Sequence, residues 1–234
     1  MKILKIKITL DEIKPEIYRE VLMVKDSTYH DLHMVIQKVF GWEDYHLYAF
    51  NVDGDRIGLK EIDESGETDY DSNDTVIFSD KKSFSYEYDF GDSWEITIQI
   101  VEELNADLNM NYPVCVGGER ACPPEDCGGV PGYEELVNAS GDVKKEFIDW
   151  IGYEFDPEAF TVEWANEKLN DPDCCRKGYT IEDLAGMAGK TPATIKRWFK
   201  KLENNELKDY LWKYEGKILL LDPEGAPILF SHLR

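Results

Sequence analysis

The sequence predicts an α+β protein in which a sheet with helices is followed by a small winged-helix-like unit. Some segments alternate apolar with polar residues, as strands do, and others repeat apolar residues at helical spacing. The charge is also unevenly divided. Residues 176–234 hold 11 Lys/Arg and 8 Asp/Glu, net +3, whereas residues 1–175 hold 15 and 40, net −25. This asymmetry predicts an acidic domain over 1–170 and a separate domain over 176–234.

Alternating apolar residues predict strands in the first part of the chain, over 2–10, 17–24 and Tyr45–Val52. Between the second and third strands, apolar residues at helical spacing predict a helix that ends at Phe40. Its predicted caps are Ser27 or Thr28 at the N-terminus and Gly41 at the C-terminus. Residues 53–75 are acidic and rich in turn formers, so we expect an exposed excursion there.

Two alternating segments on either side of Gly91 predict a β-hairpin. Their apolar positions are Phe84, Tyr86, Tyr88, Phe90, Trp94, Ile96, Ile98 and Ile100. A three-residue turn over 91–93 pairs Phe90 with Trp94 and places both apolar sets on one face. A two-residue turn would place them on opposite faces, because a one-residue slip reverses every side chain. The pattern therefore predicts the three-residue turn.

Residues 112–133 contain four Pro and five Gly, which predicts a long structured loop. Helices are expected after it, with Asp156 as the N-cap of the last one. Their predicted ranges are 133–139, 142–151 and 157–169. The polar segment Asn170–Asp173 is the predicted linker between the two domains.

The tail has the spacing of a helix-turn-helix. One helix is expected over Ile181–Ala188 after the N-cap Thr180, Gly189 breaks it, and a second runs from Thr191 to Glu203. Two strands joined by a tight turn, over 208–214 and 217–221, would complete a winged helix.

Basic residues on or just before the second tail helix predict contact with DNA phosphates, and two threonines near its start could face base edges. The predicted DNA-binding residues are Lys190, Thr191, Thr194, Lys196, Arg197, Lys200 and Lys201. The alternative is that these side chains are simply solvated and that the tail contacts another protein.

The predicted acidic site combines two pairs of carboxylates, Asp89 with Asp92 and Glu125 with Asp126. The first pair flanks a tight turn, and the second lies in a loop made rigid by prolines. If the loop folds back on the turn, these groups can bind a hard cation or polarise a water. The alternative is that Asp92 is only a turn residue and that Asp126 caps the loop backbone.

The histidines and cysteines do not match a standard metal motif. Cys115, Cys122 and Cys127 lack the Cys-x2-Cys spacing of zinc sites, and His33 and His46 fit structural roles in a helix and a strand. We therefore expect no metal and no cofactor. No Ser-His-Asp order, P-loop or dinucleotide fingerprint occurs, so no catalytic residue is assigned.

No run of 18 apolar residues occurs, and the N-terminal segment lacks the continuous apolar core of a signal peptide. These features predict a cytoplasmic protein without membrane contact. The odd number of cysteines, five, fits reduced thiols in that compartment.

Several motifs resemble the Ri-plasmid open-reading-frame-three-like family, whose members occur on plasmids and as passengers of mobile elements. The matching segments are Leu32–Gln37 with Gly41–Trp42, His46–Phe50, Tyr88–Trp94, Tyr112–Cys115, Pro123–Asp126 with Gly128–Gly129, and Phe155–Phe160. The resemblance covers about residues 1–169 in the family's order. It implies an α+β domain with no established activity, so it supplies no catalytic residues. The tail lies outside it.

Together these patterns favour a non-enzymatic, DNA-associated or regulatory accessory protein of plasmid or mobile-element type. In this interpretation the tail contacts DNA and the acidic domain binds a partner. Two alternatives remain. One is an enzyme with a carboxylate-lined, metal-dependent site, and the other is a protein-interaction module without nucleic acid.

Overall fold

The structure is a computed structural model that describes residues 1–60, 66–107, 110–170, 181–202, 211–214, 217–221 and 226–233. The chain divides into two units. The larger unit contains Leu4–Glu103 and Pro113–Cys175. The smaller unit contains Met1–Ile3, Leu104–Tyr112 and Arg176–Arg234. The predicted α+β class is confirmed, since the chain combines a sheet with helices. The predicted linker 170–173 lies outside the described residues after Asn170.

The main sheet has eight strands in the order β5-β4-β3-β6-β7-β1-β2-β8. Their bounds are β1 Lys2–Leu10, β2 Ile17–Val24, β3 Tyr48–Val52, β4 Asp55–Gly58, β5 Tyr70–Asp71, β6 Ser83–Tyr88, β7 Trp94–Asn105 and β8 Val114–Glu119. The predictions for β1 and β2 are confirmed. The β4–β5 pair is parallel, and the neighbouring β3–β4, β3–β6 and β6–β7 pairs are antiparallel.

Helix α1, Tyr29–Phe40, has the predicted length and caps. Thr28, not Ser27, is the N-cap: its hydroxyl accepts from the Asp31 backbone, and the Asp31 carboxylate accepts from the Thr28 backbone in return. Gly41 ends the helix at φ 82°, a left-handed conformation that costs glycine little. The apolar stripe of α1 joins the inward-facing strand residues in one core.

The predicted hairpin register is wrong by two residues. Tyr88 pairs with Trp94, and the turn therefore covers residues 89–93. A two-residue shift keeps every side chain on its face, so Trp94 is buried as expected. Phe90, however, is 43% exposed and leaves the strand. The longer turn forms because Asp89 and Ser93 take left-handed φ angles of 52° and 55°.

Two other segments differ from the sequence-based expectation. Strand β3 begins at Tyr48, so the predicted start at Tyr45 was wrong, and His46 precedes the strand. The excursion over 53–75 contains β4 and β5, although its residues 61–65 are outside the described part. Backbone pairing of β4 with β3, and of β5 with β4, gives these residues strand structure despite their acidic composition.

The Pro- and Gly-rich segment 112–133 is not all loop. It contains β8 and the start of α2. Gly118 lies within β8 and pairs with Arg19 of β2. A Cβ at this position would meet the Phe160 ring and the Tyr18 carbonyl oxygen, each at 2.7 Å. This glycine therefore permits close packing and does not mark a break.

Three helices follow β8, with bounds α2 Gly129–Asn138, α3 Gly141–Ile151 and α4 Val162–Leu169. The start predicted at Pro157 is wrong, because Thr161 is the N-cap of α4 and accepts from the Trp164 backbone. Asp156 instead caps a turn, where its carboxylate accepts from the Glu158 backbone.

Arg19 ties three of these elements together. Its side chain is buried, and all five of its N–H donors have acceptors. Nε donates to Val39 O (2.9 Å), and Nη1 donates to Tyr18 O (2.7 Å) and Glu119 O (2.9 Å). Nη2 donates to the oxygen of residue 120 (2.8 Å) and to the sulfur of residue 122 (3.2 Å). The guanidinium thus joins β2 to the end of α1 and to the segment that follows β8.

The smaller unit contains α5 Ile181–Ala188, α6 Pro192–Leu202, β9 Leu211–Tyr214, β10 Lys217–Leu221 and α7 Ala226–His232. Both helices lie close to their predicted ranges, with Gly189 left-handed between them. Strands β9 and β10 are antiparallel. Thr180 and residues 203 and 208–210, which belong to the predictions, are outside the described part. Among the described residues, the core of this unit includes Leu184, Ala185, Ile195, Phe199, Leu202, Leu229 and Leu233.

Within the described ranges, no helix has the length and apolarity needed to cross a bilayer.

The Arg19 contacts predict a large cost for a conservative change. Arg19→Lys keeps the charge but offers only three donors from one atom, so buried acceptors lose their partners. We expect the free energy of unfolding to fall on the order of 3 kcal/mol in chemical denaturation. Arg56→Lys, at a partly exposed arginine, is the matched control and should cost less than about 1 kcal/mol. Equal losses in both variants would contradict the role given to Arg19.

Candidate functional sites

A histidine and two carboxylates meet in the larger unit. His46 precedes β3, Asp89 lies in the β6–β7 turn, and Asp126 lies in the loop before α2. His46 Nδ1 is 3.6 Å from Asp89 Oδ1, and His46 Nε2 is 3.0 Å from Asp126 Oδ1. One potential ligand atom from each of the three residues lies within 4.8 Å of the others. We call this group the His46 cluster.

The Nε2 atom of His46 is shielded from solvent and has no hydrogen-bond partner. The 3.0 Å contact with Asp126 brings the two groups close but lacks hydrogen-bond geometry. The Asp89 side chain is only 10% exposed, whereas that of Asp126 is 62% exposed. The cluster is therefore enclosed on the Asp89 side and open to solvent at Asp126.

Local backbone geometry brings both aspartates to the cluster. Asp89 and Asp126 have left-handed φ angles of 52° and 55°, which aspartate tolerates better than most residues. The Asp89 backbone donates to Leu47 O (3.0 Å), and its Oδ1 accepts from Gly91 N (3.0 Å). These bonds fix the β6–β7 turn beside the segment that carries His46.

Glu125 belongs to the same loop but points to different partners. Its Oε1 accepts from the Tyr88 hydroxyl (2.9 Å) and from Glu43 N (2.8 Å). Burial raises the pKa of Glu125, and these two hydrogen bonds only partly oppose that shift. Burial and the nearby Glu125 charge likewise raise the pKa of Tyr88. The other carboxylate oxygen of Glu125, Oε2, is buried without a hydrogen bond.

Asp92 holds the loop against the turn. Its Oδ2 accepts from Gly128 N at 3.0 Å. A Cβ on Gly129 would lie 2.6 Å from Asp92 O, so the two backbones approach at a distance that only glycine permits. Of the four predicted acidic residues, Asp89 and Asp126 thus meet at His46, Glu125 faces Tyr88, and Asp92 accepts from the loop backbone.

His46 is the site residue that sequence reasoning assigned to another role. The sequence pattern predicted that it lies inside a strand, where successive side chains point to opposite faces of the sheet. Because β3 begins two residues later, the ring instead packs on Tyr88 at 5.8 Å between centroids and reaches both aspartates. Only the folding of the loop 120–128 onto this segment reveals the contact.

A closed ring of hydrogen bonds supports the segment before His46. His33 Nε2 contacts Asp44 Oδ1 (2.8 Å), and His33 Nδ1 contacts the Tyr86 hydroxyl (2.8 Å). Gln37 completes the ring, because its Nε2 donates to Tyr86 and its Oε1 accepts from Asp44 N. The structural role expected for His33 agrees with these contacts. Burial lowers the pKa of His33 even though Asp44 opposes that shift.

The three cysteines in the described part of the chain do not join the cluster. Burial raises the pKa of Cys122 to about 11 and that of Cys127 to about 12. Cys115 is also buried, and burial raises its pKa. Their thiols stay protonated at neutral pH, which makes them poor metal ligands.

A separate cleft of about 530 Å³ lies in the larger unit, between Arg19, Phe40, Pro124, Phe160 and Trp164. The Arg19 guanidinium lies 3.8 Å from the centroid of the Phe160 ring. Since its donors are all used by backbone and sulfur acceptors, Arg19 has no N–H left for a ligand in this cleft.

In the smaller unit, α6 separates its apolar and basic residues on opposite faces. Ile195, Phe199 and Leu202 are buried. The predicted basic residues that are exposed are Lys190, Lys196, Arg197, Lys200 and Lys201.

The threonines at the start of α6 are also near the surface. Thr191 is exposed and Thr194 is half-buried. The Thr191 hydroxyl accepts from Thr194 N at 3.3 Å, the contact of an N-cap. Trp198 is half-buried and packs against the core of the smaller unit, with the Lys201 ammonium 4.4 Å from its ring centroid.

Residues 2–164 match the model of a family described as plasmid pRiA4b ORF-3-like protein. The uncharacterized protein y4hQ of Sinorhizobium fredii (strain NBRC 101917 / NGR234) is 32% identical over 179 residues, which cover 72% of this chain and 91% of that protein. The crystal structure of MM3350, a protein of unknown function from Methanosarcina mazei Go1, has 34% identity and a TM-score of 0.64. The match covers 70% of this chain and 96% of the MM3350 chain. The His46 cluster lies inside the matched residues, and α6 lies outside them.

The lowered pKa of His33 predicts that the protein loses stability in mild acid. The pKa of His33 is lowered in the folded state. The histidine of the unfolded chain therefore takes up a proton near pH 6.5, whereas in the folded chain it stays neutral at that pH. Stability is therefore complete above about pH 6.5 and falls as the pH drops below it. We expect the unfolding free energy, measured in urea at several pH values, to decline more steeply from pH 7.5 to 5.5 in the wild type than in His33→Gln. Parallel declines would contradict this assignment.

Proposed function

The chain belongs to the plasmid pRiA4b ORF-3-like family, and we propose that this member is a DNA-associated, non-enzymatic accessory protein. In this proposal helix α6 of the smaller unit contacts the DNA backbone. The observation that carries it is the division of α6 into a buried apolar face and an exposed basic face. The family itself has no established activity, so the proposal rests on this helix.

The basic face has the chemistry that DNA phosphates require. Lys196, Arg197, Lys200 and Lys201 follow one another at intervals that place several cations along one side of the helix. No acidic residue lies within α6 to oppose them. Neutralising phosphates with such residues releases counterions and supplies sequence-independent affinity.

The order of elements also supports a winged-helix-like arrangement. Helix α5 is followed by the left-handed Gly189, then α6, then the antiparallel strands β9 and β10. In a helix-turn-helix the second helix enters the major groove and its first residues face base edges. Thr191 and Thr194 hold that position here, so we assign them to base contact and Lys190 to the phosphates.

The acidic excess elsewhere limits the affinity. Residues 1–175 carry a net charge of −25, which repels a phosphate backbone. Binding by the full chain is therefore weak, and specificity depends on the few groups at the start of α6. The proposal places the protein in the cytoplasm, where plasmid or mobile-element DNA is accessible.

A second candidate function is catalysis at the carboxylate-lined site. The meeting of Asp89 and Asp126 at His46 favours it. Such chemistry needs a bound cation to polarise water or substrate. Cation binding is the first step that this candidate requires, and it can be tested by itself.

The DNA proposal predicts a salt-sensitive complex that depends on α6. We expect the full chain to bind a short mixed-sequence duplex weakly in fluorescence anisotropy, with log K falling linearly with log salt. Changing Lys196, Arg197, Lys200 and Lys201 to Ala should lower the salt slope by up to about 0.9 for each lost phosphate contact. The fold should persist, because Ile195, Phe199 and Leu202 remain.

A matched control removes the same charge elsewhere. Lys82, Lys144, Lys145 and Lys168 are exposed in the larger unit, and their joint change to Ala should leave DNA binding almost unchanged. Equal losses in both quadruple variants would mean that net charge alone governs binding. If the folded wild-type chain shows no salt-sensitive binding, the DNA proposal is wrong and α6 is better assigned to a protein partner.

A further inference from the structure

We propose that His46, Asp89 and Asp126 form a binding site for a divalent transition-metal ion of the Zn²⁺ or Mn²⁺ class. The site lies in the larger unit and is independent of DNA contact by α6. It also departs from the sequence-based expectation that the chain holds no metal.

The donor set indicates this class of ion. One imidazole nitrogen and two carboxylate oxygens suit Zn²⁺, Mn²⁺ and similar ions, which accept mixed nitrogen and oxygen ligands. Mg²⁺ and Ca²⁺ prefer oxygen ligands alone and gain little from His46. Three protein ligands leave at least one coordination position for water, which reaches the cluster on the exposed Asp126 side.

The distances between the potential ligand atoms would suit a metal ion after these atoms move slightly closer together. The three potential ligand atoms lie within 4.8 Å of one another. Two donors bound at ~2.1 Å to one ion lie about 3.0–4.2 Å apart, so the side chains need to move by roughly 1 Å or less. Asp126 can supply this movement because its side chain is 62% exposed.

The two nitrogens of His46 have different surroundings, as a metal-bound imidazole requires. Nε2 is buried, lacks a hydrogen bond and faces Asp126. Nδ1 lies 3.6 Å from Asp89 Oδ1, beyond hydrogen-bond distance, so this carboxylate stays available as a ligand. A buried nitrogen without a hydrogen bond costs free energy, and a metal ion at Nε2 would remove that cost.

The charge around the cluster also favours a cation. Among the described residues, no Lys or Arg lies within ion-pair distance of Asp89 or Asp126. Glu125 and Asp92 stand nearby in the same loop and turn. Two carboxylates with only a histidine between them leave a net negative site, which a divalent ion neutralises.

The bonds around the cluster hold its residues in place before an ion arrives. Gly91 N fixes Asp89, and Tyr88 with Glu43 fixes Glu125, the neighbour of Asp126. Preorganised ligands lower the entropic cost of binding. The loop therefore presents Asp126 to His46 without first folding around the metal.

The test is metal titration of the untagged full chain after treatment with a chelator. We expect Zn²⁺ or Mn²⁺ to bind with a stoichiometry near one in calorimetry and to raise the melting temperature by mass action. Asp126→Asn should weaken binding at least about tenfold while the metal-free melting temperature stays nearly unchanged. His46→Ala and Asp89→Asn should weaken it as well.

Matched controls come from the same unit. His30→Gln and Asp142→Asn remove a histidine and an aspartate away from the cluster and should retain wild-type metal affinity. Mn²⁺ bound to the wild type should also give a paramagnetic resonance signal of an immobilised ion that Asp126→Asn loses. No saturable binding up to about 1 mM, or equal binding by wild type and all three site variants, would overturn the proposal.

Discussion

The buried guanidinium group of Arg19 joins the elements on which the larger unit depends. It has no carboxylate partner in the described structure, and its five donors instead bind four carbonyl oxygens and one sulfur. A buried charge is tolerated only when its hydrogen bonds are complete, so each of these acceptors must stay in place. The requirement fixes the end of α1 and the segment after β8 relative to β2.

The loop that carries part of the His46 cluster begins with residues that Arg19 binds. Directly after the residues that Arg19 holds, the Pro123 carbonyl accepts from the Trp42 indole at 2.9 Å. Glu125 then binds Glu43 and Tyr88, and Asp126 reaches His46. Apart from the bond to Tyr88, these contacts join the loop 120–128 to the segment 42–46. Helix α1 and the ring of hydrogen bonds around His33 position that segment from the other side. The cluster therefore forms only where the loop 120–128 contacts the segment 42–46, and both are held in place by hydrogen bonds.

Much of the fold follows from local patterns, but the positions that close the site do not. The strands β1 and β2 and the caps of α1 follow from alternation and from Thr28 and Gly41. The hairpin face was predicted correctly and its register was not, because a two-residue slip leaves the apolar pattern unchanged. The left-handed backbone at Asp89 and Asp126 decides both the turn and the cluster, and nothing in the alternation reveals it. Gly118 illustrates the opposite error, since a glycine that permits close packing resembles one that ends a strand.

The central claim is that Arg19 holds the loop 120–128 where it can meet His46, and amide hydrogen exchange of Arg19→Lys tests it most directly. In the wild type, the amides of Glu43 and Gly128 should be protected, because Glu43 donates to Glu125 in the loop and Gly128 donates from the loop to Asp92 in the β6–β7 turn. In the variant their protection should fall well before that of amides in the β6–β7 pair, which marks local release of the loop. If all of these amides lose protection together, or if Glu43 and Gly128 keep theirs, Arg19 does not hold the loop in place.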